Sequence, residues 1–160
     1  MITDIDKKTS YINLEIGTEN FAISVYQVLE IIQFDKITRI PDSSEYVPGV
    51  INFRGSIVPV IDMHKRFKIE NNELAEKMVV IVEINSNDKI VLMGLIVDQV
   101  TDVIEFDFKE IKSVPDLGIK YNPEFLDGFI ERDGRFIMVM NTDHVLSVNE
   151  LSEITEKAAQ

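Results

Sequence analysis

Two histidines are the only general bases near neutral pH that this chain offers, His64 in "DMHKRF" and His144 in "NTDHVL". Their contexts are unrelated, and neither can be assembled with a serine and an aspartate into a nucleophilic triad. Asp143 and His144 could share a metal ion, but adjacent side chains point apart on a strand, which favours a surface or capping role. Asp98 and Asp102 in "VDQVTDV" could form a carboxylate dyad. At the close of a strand, aspartates more often accept from backbone amides in turns, and that reading is preferred. An enzyme built on the pair would need a concave polar pocket around both carboxylates. "RGS" at 54–56 and "DGR" at 133–135 are not phosphate loops, because neither opens a helix after a strand with the required spacing. Phe53, Phe67 and Phe136 fall at strand positions and read as core rather than as a ligand cage. No catalytic residue, metal ligand or cofactor is expected, which points towards a binding module.

Composition narrows the classes further. The 160 residues carry 28 acidic against 16 basic side chains, a formal charge of −12, and no cysteine. A disulfide framework and thiolate chemistry are therefore excluded. A field of that sign repels phosphate backbones, and the nearest basic run, "HKRFK" at 64–68, reads as the end of a short helix. Neither nucleic acid nor an anionic membrane is an expected partner. "MITDIDKKTS" lacks the apolar core of a secretory signal, and no run approaches the ~18 apolar residues of a membrane helix.

The elements that must position any site are mostly strands. In "YINLEI", Ile12, Leu14 and Ile16 alternate with Tyr11, Asn13 and Glu15, "GTEN" is a turn, and "FAISV" is the returning strand. "VYQVLEII" has apolar residues at Val25, Val28, Leu29 and Ile32, a spacing that suits a helical turn. "VINF" and "IVPVI" flank a tight turn at Arg54-Gly55-Ser56, and Pro59 suggests an edge position or a bulge. "NSND" and Asp133-Gly134 mark two further hairpins, and Gly94 marks a bulge or a close backbone approach. "SVNELSEITEKAA" reads as a C-terminal helix. "KIENNELAEK", 68–77, is the most polar stretch and is taken as the boundary between two halves of one domain spanning 1–160. Many short strands with closely spaced turn signals predict an all-β architecture of two small antiparallel barrels packed together. Partly exposed aliphatics such as Val25, Val28 and Ile37 suit either ordinary core or an interface.

"VPGVINFRGSIVPVIDM" resembles the signature of the CheW family, the coupling proteins of bacterial chemotaxis, in which Gly-Val-Ile-Asn-Leu-Arg-Gly is followed by three residues, a proline and a strand ending in aspartate. "FAISVYQVLEII", "ITRIP", "MGLIVDQVTDVIEF" and "FLDGFIERDGRFIMVMNTDHVL" are similar to the family's other elements, so the resemblance spans nearly the whole chain. Phe53 in place of leucine and Pro48 before the first glycine should affect packing or loop stiffness only. Asn141 in place of a common aspartate puts a capping role in doubt. The resemblance implies two SH3-like five-stranded barrels and a non-enzymatic, cytoplasmic scaffold that joins chemoreceptor tips at membrane-associated arrays to the regulatory domain of the histidine kinase CheA. The same fold would suit an excised regulatory domain of that kinase, or the coupling half of a receiver-containing protein. No receiver follows Gln160 and no phosphotransfer segment precedes Met1, so both rivals require a piece of a longer chain.

By the same resemblance, a helical receptor tip would dock in an apolar groove between the barrels, carried onto Ile12, Val25, Val28, Ile31 and Val100, and Arg54, at the lip of a barrel, would join the receptor-binding residues. Val25, Val28 and Ile31 are spaced by three and would form one ridge on a helical turn. Arg54 is expected to pair bidentately with Glu30, which matches a glutamate of the family's early element. Without that match, Arg54 reads as a solvated turn residue. Kinase contacts would fall near Ile40, Val47 and Gly49, although Ile40 before Pro41 also suits a simple loop anchor.

Overall fold

The computed structural model describes residues 9–41, 43–86, 88–113 and 125–145. Among them are β1 (Thr9–Ile16), β2 (Glu19–Ser24), β3 (Val28–Gln33), β4 (Thr38–Arg39), β5 (Gly49–Phe53), β6 (Ser56–Asp62), α1 (Met63–Phe67), β7 (Met78–Ser86), β8 (Lys89–Val97), β9 (Gln99–Phe106), β10 (Leu126–Arg132) and β11 (Arg135–Met140). Short 3-10 turns cover Val25–Gln27, Phe108–Glu110 and Thr142–His144. The expected C-terminal helix lies outside the described residues.

The strands form one five-stranded sheet, ordered β10-β11-β2-β1-β9, and one six-stranded sheet, ordered β3-β7-β8-β6-β5-β4. Each sheet has its own apolar interior. Tyr11, Ala22, Phe106, Ile130, Ile137 and Val139 fill the first, and Phe53, Val58, Val60, Val79, Ile81 and Ile96 fill the second. A third and larger cluster, which includes Leu14, Phe21, Ile23, Ile61, Val80 and Leu95, occupies the space between the sheets. The fold is therefore two barrel-like sheets packed face to face, with the second exceeding the expected five strands by the two-residue β4. Because both faces of β1 are covered, Tyr11 and Asn13 are buried along with Ile12, Leu14 and Ile16. Alternation in the sequence separates two interiors there, rather than core from solvent.

The chain does not divide between the sheets at 68–77. That stretch joins α1 to β7, which belongs to the six-stranded sheet, as do all the strands from β3 to β8. The crossings lie elsewhere, at the turn Val25–Gln27 and at the single residue Asp98. The polarity of 68–77 reflects an exposed loop and not a seam.

The hairpin chemistry is local. Arg54 and Gly55 have φ of 51° and 84°, and Asp133 and Gly134 have 53° and 77°, so both tight turns place two successive residues in left-handed conformations. Pro59 lies in a strand with neighbours on both sides, but β8 pairs with β6 only from Val60 to Asp62. Pro59 thus occupies the stretch where no ladder on that side needs its missing donor. At Gly94, a Cβ would come within 2.9 Å of methyl groups of Val79 and Val60, and the β7–β8 register runs through it without a shift. Close packing, not a bulge, explains that glycine.

Candidate protein-interaction site

β3 leaves the crossing turn and immediately bulges. Val28 pairs with Val82, but Glu30 pairs with Ile81, so Leu29 is an extra residue on β3. One extra residue reverses the strand's alternation. Val28 and Ile31, three apart, therefore share the face that packs on the central cluster, while Glu30 and Ile32 take the opposite face. The expected ridge of Val25, Val28 and Ile31 forms in this way: the expected helical turn is present as the 3-10 turn Val25–Gln27, and the bulged strand carries the spacing of three on to Ile31. The helical turn ends at Gln27 because the strand ladder to β7 takes over from Val28.

Ile12, Val25, Val28, Ile31 and Val100 all contact that central cluster. Ile12 is nearly covered, while the other four remain partly exposed. Tyr26 and Leu29, flanking the ridge, are exposed. The sequence pattern included Leu29 only as one apolar position of a helical turn and did not mark Tyr26, because the exposure of both depends on the crossing and the bulge.

Arg54 belongs to the other side of β3. Its Nη2 donates to Glu30 Oε1 at 3.0 Å, and its guanidinium lies 4.8 Å from the centre of the Phe53 ring. The pair makes one contact instead of the expected bidentate fork. It reaches from β3 at one end of the sheet order to the β5–β6 turn near the other. With side chains 66% and 39% exposed, such a pair adds only about 0–1 kcal/mol. Arg54 therefore does not sit with Val28 and Ile31, since Glu30 projects from the opposite face.

Ile40 and Val47 are members of the central cluster, and Gly49 is buried. A Cβ on Gly49 would collide with the Thr38 carbonyl across the β4–β5 pair. The Ser43 hydroxyl donates to the carbonyls of Ile40 and Val47 and closes the loop. These three positions thus anchor the loop on the core. Phe136 is corrected in the opposite sense: it is exposed, edge-on to Phe129 at 5.5 Å.

The chemistry-bearing residues are committed to structure. His64 is buried on α1, and its Nε2–H donates to Asp98 Oδ2 at 2.7 Å. The other carboxylate oxygen of Asp98 meets Lys77 Nζ at 2.9 Å, and the Gly17 amide also donates to Asp98. Lys77 Nζ further donates to the carbonyls of Asn72 and Ala75. Asp62, the aspartate that ends the signature strand, caps α1 by accepting from the amides of His64 and Lys65. Burial pushes His64 down, but the neighbouring carboxylates of Asp62 and Asp98 outweigh it, and its pKa is raised. Burial pushes Asp98 up, but Lys77, the Gly17 amide and His64 prevail, and its pKa is lowered. Asp102 accepts from Thr101 and shares no partner with Asp98, so no dyad forms.

Asp143 lies in a 3-10 turn, not a strand, and accepts from the Asn85 amide and from Gln27. Asn141 makes no capping bond with its side chain, which donates to Asp127 instead. Among the described residues no group of three potential ligands could hold a metal, and no helix is long and apolar enough to cross a membrane.

Known proteins agree with this architecture. The CheW-like domain family model matches residues 10–150. The chemotaxis protein CheW of Klebsiella aerogenes is 31% identical, covering 89% of this chain and 84% of its own. That of Bacillus subtilis is 32% identical over 91% and 92%, respectively. The crystal structure of the scaffolding protein TtCheW from Thermoanaerobacter tengcongensis superposes with a TM-score of 0.80 at 30% identity, covering 90% of this chain and 91% of that one. The chain belongs to the CheW-like family, and is a scaffold or adaptor protein of chemotaxis rather than an enzyme.

Proposed function

We propose that this protein couples the cytoplasmic tips of chemoreceptors to the regulatory domain of the histidine kinase CheA, working in the cytoplasm at membrane-associated receptor arrays. The observation that carries the reading is the convergence of Ile12, Val25, Val28, Ile31 and Val100 on one apolar cluster at the place where the chain passes between its sheets. A partly uncovered apolar strip of that kind suits the apolar face of a helical hairpin, which buries its own stripe by lying in it. Shape and apolar area supply the affinity, while the charge of −12 acts mainly on encounter rates. On the kinase side, Ile40 and Val47 would hold the loop that presents exposed Glu45, with exposed Arg39 at the end of β4, to the partner.

Co-sedimentation with a receptor signalling fragment, with and without kinase, tests the reading directly. Val28→Glu places a charge on the ridge and is expected to abolish receptor binding in a protein that still folds and still binds the kinase domain. Undiminished receptor binding by the folded variant would remove the ridge from the account.

A further inference from the structure

β9 repeats the device seen in β3. On β1, one residue, Asn13, separates Ile12 from Leu14. On β9, two residues, Thr101 and Asp102, separate their partners Val103 and Val100. The extra residue reverses alternation, so that Val100 and Val103, three apart, lie on one side of β9. Leu14 and Ile12, their partners, both belong to the central cluster, which fixes that side as the one between the sheets. Val103 is 61% exposed there, beside the nearly buried Ile12. Both bulges follow within a few residues of a crossing between the sheets, and each turns a Val-x-x-Ile or Val-x-x-Val segment into a single ridge.

A buried amide pins the second bulge. Asn13 is 3% exposed, and its Nδ2 donates to Thr101 Oγ1 at 2.8 Å and to Asn20 Oδ1 at 3.2 Å. The Thr101 hydroxyl turns its own proton towards Asp102 Oδ1 at 2.8 Å. Asn13 thus ties the bulged residue of β9 to β1 and β2 together. A polar side chain at this depth is costly unless its bonds do something a hydrophobic residue cannot. Specifying a bulge is such a task, because an apolar residue has no preference between registers.

We infer that Asn13 and Thr101 are positioning residues for the receptor-binding face, and that the bulge they hold adds Val103 to it as an exposed apolar contact. This inference rests on the coupling function proposed above. The full-length protein with methyl-labelled valine and isoleucine, titrated with a receptor signalling fragment, tests it. In the free wild type, a through-space contact between the methyls of Ile12 and Val103 is expected, and on titration Val28, Val100 and Val103 should all shift. Val103→Glu should weaken fragment binding about tenfold while leaving binding of the kinase regulatory domain and thermal stability unchanged. Thr101→Val should lose the Ile12–Val103 contact and weaken fragment binding similarly, whereas Thr101→Ser, which keeps the hydroxyl, should restore both. Shifts at Val28 and Val100 without Val103, or an Ile12–Val103 contact that survives Thr101→Val, would overturn the inference and leave the coupling function standing. A fragment that shifts none of the three valines would overturn both.

Discussion

Two groups of charges in this molecule look alike in sequence and differ in consequence. Glu30–Arg54 spans the rim of the six-stranded sheet in open solvent, with a single 3.0 Å contact. His64, Asp98 and Lys77 meet beneath the loop 69–77, with side chains 1%, 19% and 10% exposed. Water screens the first pair and could replace either partner's bonds at little cost. The second is largely shielded from water, so each member depends much more on the others. A charge that stability does not need can be spent on a partner, whereas one buried at the crossing between sheets is bound to the fold.

Removing Asp98 should break the comparison open most widely. Asp98→Ala leaves the buried His64 without its carboxylate and Lys77 with only its two carbonyl acceptors, and a loss of about 3 kcal/mol is expected in urea unfolding. A loss comparable to that of a surface substitution would mean that the cluster carries no structural weight.

The pH dependence should separate the two groups next. The pKa of His64 is raised above 6.5, so its contribution is complete below that pH and disappears as pH rises through the folded-state value. Those of Asp98 and Asp62 are lowered below 3.8, so their contributions are complete above that pH and disappear as pH falls through the folded-state values. The cluster should therefore stabilise most between pH 3.8 and 6.5. Melting temperatures across pH 3 to 9, compared with His64→Gln, would show it: the variant should lose the wild type's decline on the alkaline side.

The smallest stability effect belongs to the rim. Arg54→Ala should cost about 0–1 kcal/mol, and a double-mutant cycle with Glu30→Ala should give a coupling of the same small size. The same cycle read as receptor binding sharpens the contrast. Because Glu30 projects away from the Val28–Ile31 ridge, additive effects on binding would confine the pair to closing the barrel, whereas coupling would make it part of the interface.

Much of this was readable from the residues. Tight turns at Arg54-Gly55 and Asp133-Gly134 announced their hairpins, because left-handed backbone at two successive positions is a local demand with few chemical solutions. The apolar ridge was readable as a set of members but not as a structure. Spacing by three suggested a helical turn, which forms at Val25–Gln27, but only the pairing of β3 with β7 shows that a bulge carries the ridge on to Ile31. Ile40 before Pro41 was readable as a loop anchor, but that Val47 and Gly49 are buried with it follows only from the packing of the loop on the core.

The linear chain determined that this protein is β-rich, free of thiol chemistry, acidic, and equipped with the signature of a family of scaffolds. Those properties depend on composition and on neighbours within a few residues. Tertiary structure decided which strands join which sheet, why His64 is buried, and how two bulged strands turn their valines the same way. Each of these is set by pairing between residues far apart in sequence, where a register shift of one position exchanges the two faces of a strand and no local preference can resist it.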